Sequence, residues 1–309
     1  MKKIIVVVGA SGNLGERIVG YLTNKEVEIR AIVREPTNSV RIQRLEHLGA
    51  KVYQVDMQEI SEMTEVCRGA SCVVSALAGL SSSIIDIQKM VLEAAIAAGV
   101  SRFIPSDYSL DFTHFSHGEN RNLDLRRVFH EYLDKSNIAA TSIFNGAFMD
   151  MLTNEMPLIL FKQKMVLYWG DADHRLSFTT IDNTAEYTAN VALEDSSPRY
   201  LRIAGDQLSP KEIRAIITDI SQTKYRLFKA GGPKLLSGLI KVARFFEPGD
   251  NVLYPAWQGM QYMRNMIDER AILKKIDNDR YPNIQWTSIQ SLLSEYQKST
   301  KKNEAPHSV

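Results

Sequence analysis

Residues 1–15 of the chain read MKKIIVVVGASGNLG, and this stretch decides the first part of the fold. Residues 4–8 are an uninterrupted run of β-branched side chains, which is typical of a parallel strand buried on both faces. Directly after it come Gly9, Gly12 and Gly15, in the pattern G-x-x-G-x-x-G, and then apolar residues at helical spacing. The first glycine permits a tight turn, the second lets a ligand approach the backbone, and the third allows close helix–strand packing. The helix N-terminus then offers free N–H groups to an anion such as a pyrophosphate.

The alternation of strand and helix patterns continues through the first half of the chain. Further strands are predicted at residues 27–33, 51–55, 72–76, 102–104 and 139–144, with helices between them at 40–48, 61–66, 84–98 and 120–135. Such an alternation requires right-handed crossovers and predicts an α/β fold with a doubly wound parallel sheet. We expect a nucleotide-binding domain over residues 1–150 and a smaller α+β region over 151–298, woven onto the open end of the sheet. Residues 299–309 are polar and are expected to form a flexible tail.

Composition excludes several classes of protein. The 309 residues are 44% apolar and 24% charged, as in a globular protein with a large core. The 37 basic and 36 acidic residues give a net charge of +1, which argues against a nucleic-acid partner but leaves a local basic patch open. Cys67 and Cys72 are too few for a disulfide framework. The apolar runs are too short to span a bilayer or to form a signal peptide, so we expect a cytoplasmic protein without a membrane partner.

The end of the second strand discriminates between the two nicotinamide dinucleotides. An NAD site expects an acidic residue there, which binds the ribose 2′-hydroxyl. This chain instead has Arg34, followed by Arg41 and Arg44. A guanidinium suits a 2′-phosphate, so the pattern favours NADP(H) over NAD(H). The adjacent Glu35 would favour NAD if its side chain, rather than that of Arg34, faced the ribose.

The sequence resembles the NmrA-like proteins, which are atypical short-chain dehydrogenases/reductases that include the isoflavone reductase-like enzymes. Four stretches carry the resemblance: residues 9–15 with Arg34, R-F-I-P-S-D-Y at 102–108, T-S-I-F-N-G-A-F at 141–148, and I-A-G-D-Q-L-S-P-K-E at 203–212. Together they span about two-thirds of the chain. The resemblance implies a Rossmann-type domain that binds NADP(H), with the substrate between that domain and the C-terminal region.

The resemblance also implies roles for individual residues along the cofactor. The implied pyrophosphate site is Gly9, Ser11, Gly12, Asn13, Leu14 and Gly15, and Arg34 is implied for the 2′-phosphate. Asp56 and Met57 are implied to flank the adenine, and Ala76, Leu77 and Ala78 to line the ribose path. Pro105, Ser106, Asn145 and Gly146 are implied to frame the nicotinamide.

The catalytic position departs from the family pattern. Reductases of this family use a lysine in the helix before the sixth strand, and an ungapped count places Arg126 at that position. An arginine stays charged and is a poor general acid or base, although it can clamp a phosphate or a carbonyl oxygen. Tyr108, which follows the fifth strand, is the candidate acid if it lies at the mouth of the cleft, whereas as an aromatic core residue it would have no catalytic role.

Two functions of different classes therefore stay open. The first is an NADPH-dependent reductase of a small apolar or aromatic carbonyl or enone. The second is a non-catalytic regulator that senses NADP(H) and binds a protein partner, which the loss of the lysine favours. A sugar-nucleotide epimerase-like enzyme would need a Tyr-x-x-x-Lys pair that the sequence does not place at the cleft. A homodimer is possible. His114 and His117 lack further ligands nearby, so no metal is expected.

Overall fold

The computed structural model describes residues 2–154 and 156–304. Its main sheet has six parallel strands in the order β3-β2-β1-β4-β5-β6. These strands are β1 (Lys3–Val8), β2 (Val27–Arg34), β3 (Lys51–Val55), β4 (Cys72–Ser75), β5 (Arg102–Ile104) and β6 (Ala139–Ala140). The predicted α/β class with a Rossmann-type doubly wound sheet is confirmed, because the order reverses at β1 and the chain crosses to β4 on its other side.

Helices cover both faces of this sheet. The helices of the first half are α1 (Asn13–Thr23), α2 (Ser39–His47), α3 (Ile60–Cys67), α4 (Gln88–Ala97) and α5 (Arg121–Leu133). One turn of π-helix, Ser82–Ile87, leads directly into α4. Alternate residues of β1 enter two separate cores, since Ile5 and Val7 pack on the α1 side while Val6 and Val8 pack on the side of α3 to α5. A strand buried on both faces explains the unbroken apolar run.

The second half adds eight short strands and five helices within the described residues. The strands are β7 (Ser142–Phe144), β8 (Ala147–Phe148), β9 (Ile159–Leu160), β10 (Met165–Trp169), β11 (Leu176–Thr179), β12 (Tyr200–Arg202), β13 (Asp206–Leu208) and β14 (Arg226–Gly231). The helices are α6 (Ile181–Ala192), α7 (Pro210–Ser221), α8 (Pro233–Phe246), α9 (Ala256–Met266) and α10 (Ile289–Glu304). Strands β9, β10 and β14 form one small sheet, and β8, β11 and β13 form another.

Two elements from beyond residue 150 lie against the first domain. The predicted strand 139–144 is divided in two, because β6 pairs with β5 while β7 pairs with β12. Helix α6 supplies Ala185, Tyr187 and Ala189 to the same core as α1. The division at residue 150 therefore stays a prediction. Of the predicted tail, residues 299–304 are the end of α10, and residues 305–309 lie outside the described residues.

Candidate nucleotide and substrate site

The turn after β1 is built so that two of its three glycines cannot be replaced without moving the backbone. Gly9 has a φ of 74°, and a Cβ on it would lie 2.8 Å from the carbonyl oxygen of Ala76. A Cβ on Gly15 would lie 2.3 Å from the carbonyl oxygen of Gly9. At Gly12 a Cβ would meet only that same oxygen, at 3.2 Å. Gly9 and Gly15 thus hold strand and helix together, while the outer side of Gly12 stays open to an approaching group.

Helix α1 begins at this turn with its first amides unused. Its N-cap is Gly12, and no side chain in the described part of the chain caps it. The first four N–H groups of a helix have no partner within the helix, and here the Glu16 N–H bonds back to Gly12 at 2.9 Å. The remaining amides, on Asn13, Leu14 and Gly15, together with the helix dipole, form an anion-binding site.

A surface cavity of about 700 Å³ connects this turn with α2. Ser11 and Asn13 line it from the turn, and Arg41 and Arg44 line it from α2. Arg17, also in the wall, is held by Asp182 at 2.9 Å. Asp182 accepts a hydrogen bond from Tyr21 as well, at 2.6 Å, so the Tyr21 hydroxyl of one Tyr-x-x-x-Lys pair has a structural partner. Among the described residues, Arg41 and Arg44 make no side-chain ion pair.

Arg34 lies at the carboxyl end of β2, where its side chain is exposed. The neighbouring Glu35 is exposed too, and its N–H donates to the carbonyl oxygen of Val55 at 3.3 Å. Neither side chain makes an ion pair within the described residues, so both are free to meet a ribose or its phosphate. Arg34 and Glu35 are both accessible, so which side chain faces the ribose depends on whether the ligand carries a 2′-phosphate.

The predicted adenine and ribose residues follow β3 and β4 at the same edge of the sheet. Asp56 is exposed and turns the chain by accepting a hydrogen bond from the Gln58 N–H at 2.9 Å, whereas Met57 is buried in the core on the α3 side. After β4, the Ala76 N–H donates to the carbonyl oxygen of Val8 at 2.8 Å, and Ala78 is exposed. Of these residues, Asp56 and Ala78 are the most open to solvent.

Three elements converge on Ser106, just after β5. Its N–H donates to Gln88 Oε1 of α4 at 2.9 Å, and its hydroxyl donates to the carbonyl oxygen of Leu77. Its carbonyl oxygen accepts a hydrogen bond from Arg126 Nε of α5 at 3.0 Å. Arg126 Nη1 donates in turn to the carbonyl oxygen of Asn122 at 2.9 Å. The residue at the predicted lysine position thus binds backbone at the carboxyl edge of the sheet and keeps its Nη2 for another partner.

The residues predicted to frame the nicotinamide are all buried. Asn145 is fully buried, and neither its amide nitrogen nor its amide oxygen has a hydrogen-bond partner among the described residues. Ser75, at the end of β4, has a buried hydroxyl in the same condition. A buried polar group without a partner costs about 1–3 kcal/mol, so such groups point to a missing ligand or water. Gly146 has a φ of 67° and approaches the Ser177 carbonyl too closely for a side chain.

The structure corrects the predicted place of Tyr108. Its side chain is 6% exposed and lies in the core between the sheet and α6, not at the mouth of the cleft. Its hydroxyl has no hydrogen-bond partner among the described residues. Burial raises the pKa of Tyr108 well above its ordinary value. A phenol enclosed in this way keeps its proton and cannot reach a substrate in this arrangement.

A buried polar network beside Ser106 escaped the sequence analysis. Asp107 Oδ2 accepts hydrogen bonds from His130 Nε2 and from the Ser142 hydroxyl, both at 2.6 Å. Arg199 donates to the Ser142 hydroxyl at 2.6 Å and approaches His130 Nδ1 at 3.3 Å. Burial alone would raise the pKa of Asp107, but His130 and Ser142 outweigh it and hold that pKa below its usual range.

Tyr262 was not selected as a site residue from the sequence, although residues 254–263 around it are dense in aromatic residues and methionines, a pattern that fits either a lid over an apolar substrate or plain core. Helix α9 docks on the start of α5 through buried amides, since Gln258 donates to Asn120 at 2.8 Å and Asn120 donates to Asn265 at 3.0 Å. This contact brings Tyr262 within electrostatic range of Arg126. Burial raises the pKa of Tyr262, and the Arg126 guanidinium partly opposes that rise.

The remaining reactive side chains are structural. Cys67 and Cys72 are free and buried, and burial raises the pKa of each thiol to about 12. Asp111, which is buried three residues before His114, pairs with Arg202 at 2.6 Å. Within residues 2–154 and 156–304, no three His, Cys, Asp or Glu side chains are grouped as metal ligands.

Comparison with known proteins agrees with this architecture. The model of the NmrA-like family matches residues 1–244. The bifunctional pinoresinol-lariciresinol reductase of Linum perenne is 25% identical over 239 residues, which cover 70% of this chain and 74% of that protein.

Two solved structures share the fold. A crystal structure of isoflavone reductase superposes with a TM-score of 0.80 at 15% identity and covers 96% of this chain and 100% of its own. The structure of AtPrR2 with NADP+ and (+)pinoresinol has a TM-score of 0.78 at 18% identity, covering 96% and 99%.

Proposed function

The chain belongs to the NmrA-like family, and we propose that it is an NADPH-dependent oxidoreductase that reduces a small apolar or aromatic carbonyl or enone. The observation that carries the proposal is the uncapped start of α1 behind a glycine turn, with unpaired arginines on the next strand and helix. The relatives named above are reductases, and one neighbouring structure contains NADP+.

The residues present fit a dinucleotide phosphate. A Cβ on Gly12 would approach only the Gly9 carbonyl oxygen, at 3.2 Å, so a pyrophosphate has room on this side of the turn, beside the α1 amides. Asn13 and Leu14 offer those amides from the first turn of the helix. Ser75 and Asn145 hold buried, unpaired polar atoms that a bound ligand would satisfy. We propose that Gly12, Asn13, Leu14 and Asn145, which the family resemblance implies, contact the cofactor directly. Ser75, which it does not imply, is proposed as a further contact.

Selectivity for the phosphorylated cofactor is proposed to come from three cations. Arg34 follows β2, and Arg41 and Arg44 line the cavity that adjoins the turn. A doubly charged 2′-phosphate gains charge-assisted hydrogen bonds from guanidinium groups, whereas a 2′-hydroxyl gains little. Glu35 would repel the phosphate if it turned toward it. The guanidinium groups of Arg34, Arg41 and Arg44 therefore favour NADP(H) over NAD(H).

The bound cofactor would supply the hydride. A guanidinium group is a poor proton donor, so Arg126 is proposed to orient and polarise a substrate oxygen through its Nη2 and not to transfer a proton. Tyr262, within electrostatic range of Arg126 and with a raised pKa, is proposed as the proton donor to that oxygen. Region 151–298, which contributes Tyr262, is proposed to form the substrate side of the site.

A regulator that binds NADP(H) without turnover is the second candidate. It is favoured by Arg126, which replaces the family's lysine and is bonded twice to backbone, and by the burial of the residues predicted around the nicotinamide. In this function, bound cofactor would change how tightly the chain binds a protein partner. A second copy of the chain, which would give a homodimer, is one such partner.

Calorimetric titration with NADPH, NADP+, NADH and NAD+ tests the common part of both candidates. We expect the two phosphorylated cofactors to bind more tightly, and Arg34→Ala to abolish that preference. If none of the four binds, both candidates are wrong. NADPH oxidation in the presence of a panel of aromatic carbonyls and enones then separates the two, because a sensing regulator shows binding without oxidation.

A further inference from the structure

Basic side chains are concentrated in one segment of the C-terminal half of the chain. Residues 220–246 contain six basic side chains and no Asp or Glu, although basic and acidic residues nearly cancel over the whole chain. The six are Lys224, Arg226, Lys229, Lys234, Lys241 and Arg244, and all are exposed. None of them takes part in an ion pair within the described residues. Strand β14 and helix α8, which follow each other in the chain, carry five of the six.

The same helix has an apolar stripe that the rest of the described chain leaves uncovered. The stripe consists of Leu235, Leu239, Val242 and Phe246, spaced by four, three and four residues, so the side chains lie on one side of α8. Leu235 and Val242 are 54% exposed and Phe246 is 80% exposed. Phe245, also 80% exposed, lies next to the stripe with its ring 5.4 Å from that of Phe246.

A third side of α8, about 100° around the helix from the stripe, attaches the helix to the protein. Leu236 is buried, whereas Lys234 and Lys241 are exposed and lie seven residues apart on the side away from the stripe. The exposed half of the helix is therefore divided lengthwise into a cationic strip and an apolar strip. A helix with Lys/Arg on one face and Phe and Leu on the other is the pattern of helices that lie in the interface of a membrane.

We propose that α8, together with β14, docks on an anionic lipid membrane, with Phe245 and Phe246 among the acyl chains and the exposed basic side chains of both elements against acidic headgroups. Arg244 is the exception, because its guanidinium stacks on the ring of Trp257 in α9, 5.0 Å from the ring centre. An antiparallel two-fold pairing of two copies through the stripe would place like-charged strips side by side, which disfavours a second copy as the occupant. None of the helices in the described residues has the length and apolarity needed to cross a membrane. The proposed contact is instead peripheral, and it revises the expectation that the chain has no membrane partner.

Vesicle co-sedimentation of the full chain tests the proposal. One vesicle population is phosphatidylcholine alone, and the other contains phosphatidylserine as well. We expect binding to the anionic vesicles to be at least about tenfold stronger, since each basic residue near an anionic surface contributes a factor of about five. We also expect high salt to weaken the binding. Absence of binding, or equal binding to both vesicle types, overturns the proposal.

The apolar contribution is tested with the double variant Phe245→Ser/Phe246→Ser. Loss of two buried rings should reduce partitioning into anionic vesicles by at least about tenfold. Ile96→Ser is the matched control, because Ile96 is 42% exposed on α4, away from α8, and should leave partitioning unchanged. Unchanged binding of the double variant overturns the proposal, and circular dichroism checks that each variant is folded.

The cationic contribution is tested with Lys234→Gln/Lys241→Gln, against Lys135→Gln as the control at an exposed site after α5. The double variant should lose binding by about twenty-fivefold at low salt, and the control should not. Sedimentation equilibrium of the wild type and of Phe246→Ser tests whether a second copy of the chain, instead of a membrane, occupies the stripe. A dimer that Phe246→Ser dissociates, with no vesicle binding by the wild type, would assign this face to a second copy and overturn the proposal.

Discussion

Replacing Gly15 with alanine tests whether close packing of α1 on β1 requires a glycine at this position. The added Cβ would lie 2.3 Å from the Gly9 carbonyl oxygen and 2.8 Å from the Ala10 Cα, both of them backbone atoms that cannot rotate away. Relief requires α1 to move by about 1 Å, and overpacking of this kind costs about 1–3 kcal/mol. For a chain of this length that free energy lowers Tm by about 2–5 °C.

The same displacement moves the α1 amides away from the predicted pyrophosphate position. We therefore expect NADPH affinity to fall by at least about tenfold, because charge-assisted hydrogen bonds contribute about 1.5–3 kcal/mol and depend on distance. Differential scanning calorimetry and isothermal titration calorimetry measure the two effects separately.

Gly20→Ala in the same helix is the matched control. A Cβ at Gly20 would meet no atom within 4 Å, and alanine is the better helix former, so stability should rise by about 0.5–1 kcal/mol. If Gly15→Ala melts and binds NADPH as the wild type does, the reasoning about the turn is refuted. If it loses stability but keeps full affinity, the turn is a packing device and not the phosphate site.

Three further predictions concern the chemistry of the site. Arg34→Ala should weaken NADPH binding by about 10–100-fold and leave NADH binding unchanged, as measured by calorimetry, whereas the control Glu35→Ala should not weaken NADPH. Tyr262→Phe should lower kcat of NADPH oxidation by about 10²–10⁴-fold with unchanged cofactor affinity, and an unaltered kcat would exclude Tyr262 as proton donor. Asp107→Asn should lower the free energy of unfolding in urea at neutral pH, by about 1–3 kcal/mol, because His130 loses its anionic partner. The pKa of Asp107 is depressed in the folded state, so the stabilisation by its carboxylate is present above the unfolded pKa of about 3.9 and is lost as pH falls through the lower folded pKa. The difference in free energy of unfolding between wild type and variant should therefore shrink below about pH 4. A difference that grew with acidity would contradict this account.

Local patterns predicted the elements of the first domain well. Strands β3 and β5 begin and end where the sequence pattern places them, and α2 and α5 differ from the prediction only by one or two residues at their ends. These elements succeed because strand and helix periods are recorded in neighbouring residues. Helix α10 was missed, since its apolar residues are sparse and their burial depends on contacts with α7 and the core around Phe178.

The site residues divide along the same line. The glycine turn follows from its spacing, and the resemblance to the NmrA-like family, now confirmed, led to the ungapped count that selected Arg126. The hydrogen bond from Arg126 to the Ser106 carbonyl, by contrast, joins residues 20 positions apart, so no local pattern predicts it. Tyr108 was misplaced because the direction of a side chain after a strand depends on how the chain turns next, and here it turns the ring under α6.

What the sequence determined by itself is therefore the parallel sheet, the class of ligand expected at its first turn and the family, because each depends on residues close together in the chain. Only the tertiary structure decided that Asp107, His130, Ser142 and Arg199 form one buried network, that α9 brings Tyr262 near Arg126, and that α8 leaves its apolar stripe exposed. The first two depend on segments between 12 and more than 100 residues apart meeting in space, and the third depends on which side of α8 the rest of the chain covers. Packing of the whole core decides all three, and no local pattern records them.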